Sequence, residues 1–113
     1  MDAMDSIRMG DKLYLVTRND LSPGQQAAQL CHAIRLFGHE YPQIDKEWYE
    51  RSNFLALLSV PSENDLLRLF ERLRLREIRC SLFREEDLGN EATALAAEPL
   101  ARRTCSELPL ALR

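Results

Sequence analysis

Short apolar runs, two of them followed within four residues by a serine that can cap a helix, restrict what this chain can fold into more than any other feature. Lys12–Arg18 (KLYLVTR) is rich in β-formers and apolar on both alternating faces, as an interior strand would be. Asn19 to Gly24 is turn chemistry, and Ser22 before Pro23 sets an N-cap beside a proline at the first helical position. Phe54–Val60 (FLALLSV) is nearly all apolar, which predicts a strand covered on both faces. Pro61 and Ser62 open the next helix, with Asp65 completing a pattern like a capping box. Residues 78–83 alternate Ile78, Cys80 and Leu82 with Arg79, Ser81 and Phe83, a third strand, and Thr93–Ala97 (TALAA) supplies a fourth. Strand, helix and strand with tight joints imply right-handed crossovers and parallel pairing. The expected fold is therefore α/β, a three-layer α/β/α arrangement with a mixed, mostly parallel four-stranded sheet.

The first helix is expected over about Pro23 to Phe37, ending at Gly38. Ala27, Leu30, Cys31, Ile34 and Phe37 form a stripe for the sheet. Gln25, Gln29, His32 and Leu36 fall in an arc away from that stripe, so three polar side chains line up on one side. Residues 42–52, with Trp48 and Tyr49, read as a second short helix or an ordered loop. Leu66, Leu69, Phe70 and Leu73 are the buried stripe of the third helix. At the end of the chain Leu108, Leu110 and Leu112 alternate with other residues, so this segment is expected to lie against the body.

A chain of 113 residues suits one domain, expected over residues 11–113, with residues 1–10 as a flexible, acidic tail that lacks the apolar segment of a secretory signal. The apolar runs fall far short of the roughly 18 residues a membrane span needs, so no membrane partner is expected. Cys31, Cys80 and Cys105 are an odd number without any Cys-x-x-Cys pair, which predicts reduced buried thiols, a cytoplasmic location and no metal site. The formal net charge of −3 argues against a broad basic surface. Charge is nonetheless segregated. Arg68, Arg72, Arg74, Arg76, Arg79 and Arg84 crowd one stretch, and Glu85, Glu86, Asp87 and Glu91 follow directly.

In open sheets of this kind ligands bind beyond the carboxyl ends of the parallel strands, which directs attention to residues 19–25 and 84–90. The helix start at Ser22–Gln25 presents unpaired N–H groups and a positive dipole end. Arg18 is read either as a phosphate contact or as half of an ion pair with Asp20. Gln25 stands where a capping box begun by Ser22 places glutamine, and capping is the favoured reading. Gln29 could hold a water or a ribose hydroxyl, or satisfy buried backbone groups. His32 could act as a general base, imidazole being the side chain that changes protonation nearest neutrality, or could simply bond a neighbouring loop. The arginines from Arg68 to Arg79 could grip a phosphate backbone, against the commoner reading of a solvated helix face.

Residues 12–21 (KLYLVTRNDL), then Gly24, then residues 27–33 (AAQLCHA) resemble the opening of the type II peptidyl-tRNA hydrolases: a strand ending in Arg-x-Asp-Leu, a Gly-Lys turn, and a helix reading Ala-Ala-Gln-x-x-His-Ala. Phe54–Val60, the helix after Ser62, residues 80–84 and residues 93–99 resemble that family's later elements in register. The resemblance implies hydrolysis of the ester joining a peptide or N-blocked amino acid to tRNA, with tRNA as partner, frequent homodimers, and no metal or organic cofactor. Two positions depart from the family. Gln25 replaces the lysine after the turn glycine, and Arg84 to Asn90 replaces a longer Gly-His-Thr loop. Glu85 takes the place of the family's aspartate, while Thr93 matches a threonine only in the last strand. In lacking the lysine, the chain is more similar to a divergent branch, the peptidyl-tRNA hydrolase domain-containing proteins.

The expected site thus has His32, Glu85 and Gln29 as catalytic residues and Arg18, Asp20, Ser22, Gln25, Asn90 and Thr93 as substrate contacts, without metal. The rival expectation is a catalytically degenerate member that binds tRNA or a protein and regulates.

Overall fold

The computed structural model describes residues 7–113. Its elements are β1 (Lys12–Arg18), α1 (Pro23–Glu40), α2 (Pro42–Arg51), β2 (Phe54–Val60), α3 (Glu63–Leu75), β3 (Cys80–Glu85), β4 (Glu91–Ala97) and α4 (Arg102–Cys105). The strands lie in the order β2-β1-β4-β3. β1 pairs parallel with β2, while β4 is antiparallel to both β1 and β3. β1, β2 and β3 therefore run the same way, as two crossovers require. The expectation of a mostly parallel sheet needs one correction. β4 enters between β1 and β3, so only one of the three pairings is parallel, because the tight turn after β3 brings β4 straight back along it as a hairpin.

Period-two alternation splits the sheet side chains between two cores. Leu13, Leu15, Ala94 and Ala96 pack with Leu30, Ala33 and Phe37 of α1 and Trp48 of α2. Tyr14, Val16, Leu95 and Ala97 pack with Leu66, Leu69 and Leu73 of α3 and Cys105 of α4. Each large side chain so buried contributes about 1.5–3 kcal/mol. β2 is an edge strand, and Phe54 and Leu55 at its start are half exposed rather than covered on both faces. Its far half is covered by the end of the chain: Ser59 N donates to Pro109 O at 2.9 Å and Ala111 N to Leu57 O at 2.9 Å.

Four local expectations change. α1 runs past Gly38 to Glu40, and Gly38 serves a close approach instead: a Cβ there would lie 3.0 Å from Asp45 Oδ2. The buried stripe of α1 is Gln26, Gln29, Leu30, Ala33 and Phe37, and Ala27 and Cys31 face solvent. The stripe is rotated because both amides find partners inside, which offsets the cost of burying them. Gln26 donates to Leu21 O at 2.9 Å and accepts from Leu112 N at 2.9 Å. β3 starts two residues later than expected and β4 two residues earlier. Residues 1–6 of the expected tail lie outside the described residues, but Ile7 is 5% exposed and packs into the α1 core, so the tail does not extend to residue 10.

No helix among the described residues is long and apolar enough to cross a membrane. Cys80 and Cys105 are buried as expected, whereas Cys31 is exposed. Burial pushes the Cys80 thiol up to about 12 and that of Cys105 to about 11. Because both values are raised on folding, the associated stability is complete below the ordinary thiol range of about 8.5 and is lost as pH rises toward 11–12. At pH 8 an aromatic disulfide reagent should therefore label one thiol per chain rapidly and the others only after denaturant is added; two rapid thiols would contradict the packing.

Candidate active site

The carboxyl ends of β1 and β3, the start of β4 and the N-terminus of α1 share one rim of the sheet. Ser22 caps α1 in a reciprocal box: its Oγ accepts from Gln25 N at 3.2 Å, and Gln25 Oε1 accepts from Ser22 N at 3.0 Å. Such a cap stabilises a helix by about 1 kcal/mol, and it turns the Gln25 side chain back on its own turn. The Gly24 N–H, also in that first turn, lies beyond the reach of any intrahelical carbonyl.

Arg18 is 8% exposed. Its Nε and Nη2 donate to the two carboxylate oxygens of Asp20 at 3.0 and 2.9 Å, and its Nη1 donates to Glu91 Oε1 at 2.6 Å and to Ala92 O at 3.1 Å. This two-pronged geometry is the strong form of the pair. It raises the Arg18 pKa and holds the Asp20 carboxyl below its usual range, in each case chiefly through the hydrogen bond between them. Arg18 and Asp20 thus spend their bonds on each other, β4 and Glu91.

The second cluster hangs from a β-bulge. The β3–β4 register jumps between Phe83, opposite Ala94, and Arg84, opposite Ala92, leaving Thr93 as the extra residue. Bulges of this kind re-aim a side chain. Here the fully buried Thr93 hydroxyl donates to Gln29 Oε1 at 2.6 Å. Thr17 Oγ1 donates to Thr93 O at 2.8 Å and fixes the bulge from below. With its oxygen so engaged, the Gln29 amide turns its nitrogen outward, and Nε2 donates to Glu85 Oε1 at 3.0 Å. That bond first, then the Asp87 N–H and the nearby His32, keeps the Glu85 carboxyl below its usual range.

His32 sits one helical turn beyond Gln29. Its ring stacks on Phe83 with centroids 4.8 Å apart and an interplanar angle of 17°, while the residue remains exposed. Phe83 and Glu85, two residues apart on β3, project from the same face, so stacking places the imidazole beside the carboxylate. Asn90, at φ 63°, is a turn residue: its N–H closes the hairpin onto Glu85 O at 2.9 Å, and its carbonyl accepts from Arg84 Nη1 at 3.4 Å.

The structure therefore gathers His32, Gln29, Glu85 and Thr93 in one cluster, pairs Arg18 with Asp20 and Ser22 with Gln25, and puts Asn90 in the supporting turn. Gln25 lies on the same arc of α1 as Gln29 and His32, but its side chain is turned back into the cap while Gln29 is buried against Thr93. Thr17 and Phe83 were missed. The signal for Phe83 was available in its period-two relation to Glu85; for Thr17 there was none short of the bulge. The rim is acidic, with Asp20, Glu85, Glu86, Asp87 and Glu91 around it. Among the described residues no three His, Cys, Asp or Glu converge to hold a metal ion.

The chain matches the family model described as Peptidyl-tRNA hydrolase PTH2 over residues 11–112. Proteins named peptidyl-tRNA hydrolase from Methanococcus maripaludis and Methanococcus vannielii are each 35% identical to it over 77 residues, covering 63% of this chain and 66% of the relative. The match thus spans just under two thirds of the length of those relatives.

Proposed function

Because the chain belongs to the PTH2 peptidyl-tRNA hydrolase family, we propose that it cleaves the ester between a peptide, or an N-blocked amino acid, and tRNA. The observation that carries this reading is an exposed imidazole, flat on Phe83, beside a carboxylate that Gln29 holds in place. His32 takes a proton from water as the water oxygen attacks the ester carbonyl carbon. Glu85 steadies the imidazolium that forms. The bond from carbonyl carbon to ribose oxygen then breaks, and the proton passes to that oxygen, releasing the acid and a free ribose hydroxyl. Gln29 and Thr93 are positioning residues, and the reading assigns to the unpaired N–H groups at the start of α1 the negative charge that develops on the carbonyl oxygen. The reading carries with it the cytoplasm, where such a substrate is made. It also carries a homodimer, for which the half-exposed Phe54 and Leu55 on the β2 edge offer apolar surface.

Steady-state hydrolysis of N-acetyl-aminoacyl-tRNA tests it. Glu85→Gln should keep the Gln29 contact geometry but lower kcat about tenfold or more through loss of the charge. An active parent whose kcat does not change in Glu85→Gln would remove Glu85 from the reaction.

One observation favours the second reading, a binding or regulatory domain without activity. Gln25, in the place of the family's lysine, brings no cation and is consumed in the cap. On that reading the parent is inert and Gln25→Lys is needed to create turnover.

A further inference from the structure

The hydrolase reading leaves a polyanion without a seat, since the rim around His32 carries five acids, Asp20, Glu85, Glu86, Asp87 and Glu91, against two cations, Arg84 and an Arg18 already paired with Asp20 and Glu91. Like charge there repels phosphate. The longest run of exposed arginines lies elsewhere. Arg68 and Arg72 of α3 and Arg76 at its C-cap recur every four residues along one exposed flank, and Arg76 Nη1 donates to Thr104 Oγ1 at 2.9 Å, which joins that flank to α4. Arg102 and Arg103 of α4 are also exposed, and Arg102 lines the cleft beyond it. Among the described residues none of these five arginines makes an ion pair. Asp65 shares this flank, its carboxylate accepting from Ser62 Oγ at 2.7 Å, while Glu71 borders a groove with Phe70 and Arg74.

The strip ends in a cleft of about 210 Å³ lined by Gly10, Asp11, Lys12, Tyr14, Pro99 and Arg102. Two cations and a phenol border it, and its one acid, Asp11, accepts from Arg8 N at 2.8 Å. The cleft sits where β1 begins and β4 ends. That is the opposite end of the sheet from Arg18, roughly 20 Å away along an extended strand.

We propose that the α3–α4 arginine strip and the Lys12–Tyr14–Arg102 cleft form a docking surface for the phosphate backbone of an RNA stem, remote from the reacting ester. The proposal rests on the hydrolase reading for the identity of the RNA. Unpaired arginines are the groups that release counterions from a phosphate backbone, and the acidic rim admits the uncharged ester while turning the stem's phosphates toward the strip. The strip lies on the α3 face of the sheet and His32 on the α1 face, so on this proposal the single-stranded end of the RNA passes around the sheet to bring the ester to the rim.

The test uses the full chain and the triple variant Arg72→Glu/Arg102→Glu/Arg103→Glu, with the corresponding triple lysine variant as the conservative partner. Affinity for unacylated tRNA is measured over a salt series. Hydrolysis is measured both on N-acetyl-aminoacyl-tRNA and on an N-acetyl-aminoacyl adenosine ester that has no stem. The glutamate variant should bind tRNA at least about tenfold more weakly, with a salt slope shallower by about 2–3, and should show a raised KM on the tRNA substrate. Its turnover of the stemless ester should match the parent's, and the lysine variant should retain most of the affinity. Unchanged tRNA affinity and slope in the glutamate variant would overturn the docking surface, as would equal losses on the stemless ester. Equally tight binding of poly-glutamate would overturn RNA as the partner. A parent that cleaves the stemless ester yet binds tRNA without salt dependence sinks the docking surface alone, whereas a parent that cleaves neither substrate sinks the hydrolase reading itself.

Discussion

Replacing His32 with alanine is expected to lower kcat for N-acetyl-aminoacyl-tRNA by about a hundredfold or more, the usual scale for losing a general base. KM should change little, because the imidazole is assigned to the attacking water rather than to holding the substrate. The fold should tolerate the change. The ring is exposed and its one described aromatic contact is the stack on Phe83, an interaction of about 0.5–1.5 kcal/mol, so the melting temperature should fall by only a few degrees. Cys31→Ser, one residue earlier and also exposed, is the control and should leave kcat unchanged. A His32→Ala protein with a raised KM and intact kcat would make the histidine a binding contact.

Arg18→Met is expected to cost stability rather than affinity. The guanidinium ties Asp20 in the turn to Glu91 and the Ala92 carbonyl of β4, and removing one partner of a buried pair costs about 3–5 kcal/mol. The Asp20 and Glu91 side chains are 43% and 47% exposed and can rehydrate, which reduces the loss to about 2 kcal/mol, or about 10 °C in melting temperature for a chain of this size. The Asp20 value is depressed on folding, so its contribution is present above the ordinary carboxylate range of about 4 and is lost as pH falls through that range and below it. Arg18→Met should lose this part of the acid sensitivity as well. If Arg18 instead met a substrate phosphate, the variant would melt like the parent and show a raised KM.

The elements were legible in the sequence because their signals are local. The bounds of β1 and β2 follow from apolar runs between turn residues, and the start of α1 follows from Ser22 before Pro23. The position of β4 was not legible, since Thr93–Ala97 reads as a strand without saying which neighbours it joins; the hairpin through Gly89 and Asn90, both at positive φ, decides that. Apolarity alone also misplaced the face of α1. Gln26 and Gln29 look like surface residues until the Leu21 carbonyl, the Leu112 N–H and the bulged Thr93 hydroxyl are there to receive them. Thr93 and Glu85 had been identified separately, but their connection through Gln29 depends on a one-residue irregularity between two strands, and nothing in the spacing of side chains announces it. Gly38 looked like a helix end because glycine usually stops helices, whereas here it makes room for Asp45.

A single-turnover assay with the chain in molar excess over N-acetyl-aminoacyl-tRNA bears most directly on the claim that His32, Glu85 and Gln29 form a working hydrolytic site. Complete release of the N-acetyl amino acid by the parent, slowed at least a hundredfold in His32→Ala, is the predicted result. Substrate surviving intact with a saturating, folded parent would contradict the account.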